Sequence, residues 1–210
     1  MDLKWVFYDW YGWNRSLFET LNSGLPEAAQ PLAHLGSALG SYWAAPFMLA
    51  ALLLWAKHSQ APLASSPASV VGQAHRFALA CLLALVVTSL LKWGLDLPRP
   101  ATVIASGVRV LAPVESTHGF PSGHSVYTAL VLGTLWPLVS RRIQAALVVA
   151  LLWVGYSRIA MGAHFPADVL AGWLVGAGCF IAAAAALACR RNISAPVVRF
   201  GSSPETSKKR

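Results

Sequence analysis

The sequence predicts an all-α, polytopic membrane helical bundle, and three observations carry that reading. Hydrophobic residues make up 56% of the 210-residue chain. Charged residues make up only 11%, against about 25% in ordinary globular proteins. The apolar residues gather in runs near the ~20 residues a membrane helix needs, with charges at their ends. Mean hydropathy is +0.55. This composition excludes a disordered chain, which requires low hydrophobicity, and argues against a soluble enzyme.

The elements follow in chain order. Residues 1–34 form an N-terminal interfacial segment. Trp5, Val6, Phe7, Tyr8, Trp10, Tyr11 and Trp13 are mixed there with Asp9, Asn14 and Arg15, a pattern suited to lying on a bilayer. Asp2, Lys4 and Asp9 leave no room for the apolar core of a signal peptide. Residues 35–189 form the membrane domain, with five expected spans at 35–55, 77–91, 125–139, 143–156 and 169–189. A sixth would have to come from 17–33, where Glu19, Pro26, Glu27 and Pro31 are poor material for a crossing. Residues 190–210 read as a basic, Ser-rich, disordered cytoplasmic tail attracted to anionic lipid.

The formal charge is +8, with sixteen Lys and Arg against eight Asp and Glu. These cations sit beside apolar runs and in the tail, so they set topology and imply no nucleic-acid partner. With five spans, one membrane face carries ten Lys and Arg and the other six. The positive-inside rule places the richer face in the cytoplasm. The 92–124 loop and the 157–168 turn then face outward from an inner membrane. Cys81, Cys179 and Cys189 show no metal-type spacing and no disulfide framework.

Those two outward segments hold the residues with chemistry. Lys92 and Arg99 flank Leu97-Pro98; Pro121-Ser122-Gly123-His124 opens one run; Ser157-Arg158 closes another; His164 and Asp168 open the last. Singly, each has a plain explanation: Lys92 or Arg158 snorkelling, His124 or His164 a polar contact between helices, Asp168 answering a helix dipole. Together, three cations near a bilayer are costly unless they pair or bind something. A phosphate supplies the missing negative charge, with Arg offering a two-pronged hydrogen bond. The Ser122-Gly123 helix start offers backbone N–H groups and close approach.

His164 and Asp168 are four residues apart, so the carboxylate reaches one ring nitrogen in a helix or turn and leaves the other as a nucleophile. His124 is positioned to protonate a leaving oxygen and then activate water. No carboxylate cluster suits magnesium and no His/Cys set suits zinc. A reaction without metal or other cofactor is expected. Arg109 and His118 are candidate readers of a substrate head group or parts of a solvated lid, the lid is the better reading for Glu115, and Asp96 orients Lys92 and Arg99.

Lys92-(six residues)-Arg99-Pro100, then Pro121-Ser122-Gly123-His124, then Ser157-Arg158-(five residues)-His164-(three residues)-Asp168 resembles the three-part motif of the type 2 phosphatidic acid phosphatases. These are also called lipid phosphate phosphatases and share their site with vanadium haloperoxidases. The resemblance covers about residues 5–187 in layout, and its specific part is 92–168. It implies that His164 forms a phosphohistidine, Asp168 supports it and His124 is the acid. Lys92, Arg99, Ser122, the Gly123 amide and Arg158 would hold the phosphoryl oxygens. Family members usually have six membrane helices, so this chain departs from them at its N-terminus.

The function so implied is hydrolysis of a lipid phosphate or diphosphate at the outer face of the inner membrane. Undecaprenyl diphosphate, phosphatidylglycerol phosphate, phosphatidic acid and lipid A phosphates are the rival substrates. A phosphotransferase would use the same phosphoenzyme. A vanadate haloperoxidase is disfavoured by the apolar spans, and a non-catalytic scaffold by the presence of every motif residue. A transporter gives no reason for the three-part spacing.

Overall fold

A computed structural model of the chain describes residues 8–58, 69–104, 106–111 and 118–194. Among the described residues all named elements are helical and no strand occurs. An isolated bridge joins Pro98 to His118. The α-helices are α1 (Trp13–Ser23), α2 (Gln30–Leu39), α3 (Ala45–His58), α4 (Val70–Leu95), α5 (Gly123–Leu135), α6 (Arg141–Ala160) and α7 (Pro166–Ser194). A single turn, Pro100–Val103, follows α4.

The helix starts are written locally. Ser69 caps α4, its Oγ accepting the Gly72 N–H at 3.0 Å. Pro166 opens α7, where its missing N–H costs nothing. Helix α4 stops at Asp96, which takes a left-handed backbone with φ 47°.

Helix α7 is the central post, packing most extensively on α5 and then on α4. Small residues make the α5 contact close. A Cβ on Gly172 would lie 2.6 Å from the Ser122 carbonyl oxygen, and one on Gly176 would lie 2.5 Å from that of Val126. Backbones approach this tightly only where side chains are absent. Phe77, Ala80, Ala84, Tyr127, Leu130 and Ala183 fill the core among these three helices, with Leu52 of α3 beside them. A second core lies under the N-terminal segment and joins Phe18 to Phe165, Ile159 and Val169. Outward faces remain apolar: Leu82, Leu90, Leu174 and Ile181 are all exposed, as lipid-facing side chains are.

The expectation of five spans is too high. Among the described residues, three helices are long and apolar enough to cross a bilayer: Val70–Leu95, Arg141–Ala160 and the Pro166–Arg190 part of α7. A fourth crossing exists only if the pair Glu27–Leu39 and Tyr42–His58, bent by 45°, counts as one. The expected span at 35–55 breaks there because Gly40 ends α2 and Ser41 takes extended backbone. The expected span at 125–139 stops at Leu135, since Pro137 sits in a short 3-10 turn and Val139 is extended. Thirteen helical residues reach only about 20 Å.

The terminal segments differ in how far they are described. Residues 8–34 are largely helical, and Asn14, Phe18 and Asn22 form the buried stripe of α1 while Trp13 and Leu17 stay exposed. Helix α7 continues past Arg190 to Ser194. The tail expected to be disordered from residue 190 is thus helical at its start; the rest of it, like Glu115 and residues 1–7, lies outside the described residues.

Candidate active site

Four helix ends converge on one cavity of about 470 Å³. Lys92 comes from the last turn of α4, Arg99 from the segment after it, and Gly123 and His124 from the start of α5. Arg158 comes from the last turn of α6, and His164 from the turn between α6 and α7. All six line the cavity. Arg99, Arg158, His124 and His164 are buried.

The cations are aimed by backbone and hydroxyl acceptors. The Arg99 guanidinium donates to the Ala163 carbonyl at 2.9 Å, beside His164. The Arg158 guanidinium donates to Ser37 Oγ at 2.5 Å. Lys92 Nζ donates to the His118 carbonyl at 3.2 Å. A Cβ on Gly123 would meet only the Tyr42 ring, at 3.7 Å, so the room this glycine keeps open belongs to the cavity. Ser122 is completely buried and its Oγ has no hydrogen-bond partner among the described residues. An orphaned hydroxyl of that kind costs about 1–3 kcal/mol unless something it binds repays it.

Asp168 stands behind His164. Its Oδ2 lies 3.3 Å from His164 Nδ1, at the long end for a hydrogen bond, and accepts the Phe165 N–H at 2.9 Å. Its Oδ1 accepts the Tyr8 hydroxyl at 2.6 Å. With Nδ1 turned to the carboxylate, Nε2 is the ring nitrogen available for other chemistry. Burial pushes His164 well below the ordinary imidazole range, and the charges of Arg99, Arg158 and Lys92 push it further, against a backbone hydrogen bond with Gly119. The ring is therefore neutral at pH 7.

That shift has a consequence for stability. An unfolded imidazole takes a proton near pH 6.5, whereas folded His164 refuses it, so below that pH the unfolded chain binds more protons. Stability conferred by the neutral ring is present above pH 6.5 and is lost as pH falls from there towards the folded value. The melting temperature in detergent should decline between pH 7 and 5, with a shallower decline in His164→Gln. An identical slope in the variant would mean that other groups carry it.

Four predicted residues are not part of the cavity lining: Ser122 and Asp168, which lie directly behind it, and Arg109 and His118, which stand further apart. Arg109 donates through its guanidinium to the Leu25 carbonyl and through its backbone N–H to Asn22 Oδ1 at 2.8 Å. It ties the loop to α1. His118 pairs with Asp96 at 2.7 Å and leans on Trp93, with ring centroids 5.1 Å apart. Sequence reasoning missed Tyr8, Asn14, Ser37 and Tyr42. Asn14 Oδ1 accepts the Ala167 N–H at 3.0 Å, and Tyr42 lies edge-on to the His124 ring at 6.1 Å. The spacing of Asn14, Phe18 and Asn22 was the available signal for a buried face.

A model of the PAP2 superfamily matches residues 73–191, more than half the chain. The chain belongs to the PAP2 superfamily. The matched stretch holds every motif residue from Lys92 to Asp168. Among PAP2 proteins, a lipid A 1-phosphatase of Rhizobium johnstonii is 28% identical over 190 residues, covering 79% of this chain and 77% of the relative. An undecaprenyl-diphosphatase of Sulfolobus acidocaldarius is 31% identical over 101 residues, 45% of this chain and 46% of its own. The crystal structure of Aquifex aeolicus LpxE superposes with a TM-score of 0.68 at 27% identity, covering 80% of this chain and 92% of that one. Like these PAP2 relatives, the chain is a membrane protein of the lipid phosphate phosphatase kind. Its N-terminal 72 residues lie outside the matched stretch, yet they supply Tyr8, Asn14, Ser37 and Tyr42 to the site.

Proposed function

We propose that the chain hydrolyses the phosphate of a lipid phosphate through a phosphohistidine, with the 1-phosphate of lipid A as the first substrate to test. The cavity carries this reading. One end holds Lys92, Arg99, Arg158 and His164, and the walls beyond are Ala84, Leu85, Val126 and Leu130. A phosphate cradle that continues into apolar walls between helices suits a phosphate attached to hydrocarbon.

His164 Nε2 attacks phosphorus, a P–N bond forms, and the bond to the lipid oxygen breaks. Burial, with the charge of Arg158, lowers the His124 pKa to about 3. A proton that enters on the substrate phosphate therefore passes through His124 to that leaving oxygen, and the lipid departs as an alcohol, or as a monophosphate when the substrate is a diphosphate. His124 then takes a proton from water, which attacks the phosphohistidine and releases inorganic phosphate. Lys92, Arg99, Arg158, Ser122 and the Gly123 N–H hold the three phosphoryl oxygens, whose charge grows in the transition state. Asp168 keeps the His164 ring in place. An inner-membrane location, with this site facing outward and the basic C-terminal tail in the cytoplasm, accords with the distribution of Lys and Arg.

The test is phosphate release by detergent-purified protein from lipid A, undecaprenyl diphosphate, phosphatidylglycerol phosphate and phosphatidic acid, with chelator present throughout. Release from lipid A that survives the chelator is the expected result. Release from another of the four would reassign the substrate, and loss of activity with chelator would overturn the metal-free mechanism. Silence on all four, with label retained on the protein from one of them, would favour a phosphotransferase lacking its acceptor.

A further inference from the structure

We infer that Tyr8 is a positioning residue for the nucleophile, its hydroxyl forming the third link of a buried chain that runs Tyr8–Asp168–His164. The inference rests on the reading of His164 as nucleophile given above. The Tyr8 ring is buried, edge-on to Phe120 and to Phe165 with centroids 6.0 and 5.8 Å away. Its hydroxyl donates to Asp168 Oδ1 at 2.6 Å. Burial and the neighbouring carboxylate hold that hydroxyl far above the ordinary phenol range, so it keeps its proton and donates.

The geometry gives the bond a job. Asp168 has two oxygens, and each is fixed by a different donor. Oδ2 is held by the Phe165 N–H and faces His164; Oδ1 is held by Tyr8. Without the Tyr8 hydroxyl the carboxylate has one anchor and can turn about its Cβ–Cγ bond, and the 3.3 Å approach to Nδ1 lengthens. Asn14 secures Tyr8 in turn, donating from Nδ2 to the Tyr8 carbonyl at 3.1 Å while its Oδ1 caps the start of α7 at Ala167. The turn that presents the nucleophile is thus clamped from a segment 160 residues away.

Tyr8→Phe keeps the ring and deletes only the hydroxyl. With a lipid phosphate the variant should lose about tenfold or more in kcat, as small misplacements of a reacting group do, while KM stays within about twofold. Histidine ring ¹⁵N spectra of the detergent-solubilised protein give a second readout that needs no substrate. The wild type should show His164 as one tautomer with its proton on Nδ1, and Tyr8→Phe should show a mixture. Unchanged kcat and an unchanged tautomer would overturn the inference, as would a wild-type proton on Nε2. If no lipid is hydrolysed by the wild type, the function reading fails and the spectra still decide the role of Tyr8. Should Tyr8→Phe not fold, tyrosine ¹³Cζ spectra of the wild type and Asp168→Asn replace it. One of the five tyrosine resonances should then shift, and five unmoved resonances would refute the bond.

Discussion

Replacing His164 with alanine should lower phosphate release by about 10⁴-fold or more, the scale on which enzymes lose rate when a covalent nucleophile is removed. His164 is buried, holds a neutral ring, and shares its cavity with Arg99, Arg158 and Lys92. Removing it leaves the cradle intact, so the variant should still bind substrate and fail at P–N bond formation. Two measurements check this: phosphate released per minute, and radioactive phosphate retained on the protein after rapid quenching in alkali, which preserves phosphohistidine. Both should vanish. Label persisting in His164→Ala would move the covalent bond to another residue, with His124 the next candidate in the cavity.

Gly172→Ala should cost the next largest share of activity without touching any group that meets substrate. The added Cβ would lie 2.6 Å from the Ser122 carbonyl oxygen and 2.7 Å from Ser125 Cβ. The first of these is backbone at the start of α5 and cannot swing aside. Helix α7 must back away from α5, and overpacking of this kind costs about 1–3 kcal/mol. The displacement acts where it matters, because the Ser122 N–H donates to the Asp168 carbonyl at 3.0 Å. That bond ties the start of α5, proposed above to hold phosphate, to the first turn of α7 behind His164. A fall of roughly a hundredfold in kcat/KM, with a lower melting temperature, is expected. Gly178→Ala on the same helix is the control, since its Cβ would meet nothing within 4 Å. Equal losses in the two variants would mean that helix α7 responds to alanine in general and not to this contact.

The site was more legible in the sequence than the helices that carry it. Lys92, Arg99, His124, Arg158 and His164 were readable because each sits at the end of an apolar run, where charge is expensive and therefore conspicuous. The structure brings all five to one cavity. Span lengths were harder, because hydropathy measures composition and not backbone continuity. The apolar stretch through Gly40 and Ser41 reads as one helix and bends by 45°. The stretch through Leu135 ends early at Trp136-Pro137.

The contribution of the N-terminal segment was hidden for a different reason. Tyr8, Asn14 and Ser37 meet partners more than 100 positions away, and a hydrogen bond to a distant group leaves no local spacing. The exposed rings of Tyr11 and Trp13 beside them made an interfacial role the natural reading for the whole stretch. The buried face of the same stretch clamps the turn at Phe165.

The order of synthesis gives this clamp a temporal meaning. The ribosome makes Tyr8 and Asn14 first, but their partners Ala167 and Asp168 arrive about 150 residues later, on the last helix. Contacts this distant in sequence are among the last a chain can make. A nascent chain therefore carries Lys92 to Arg158 into the membrane before the turn bearing His164 is clamped. Catalytic competence should switch on abruptly, once α7 has inserted and its first turn has docked against the waiting N-terminus.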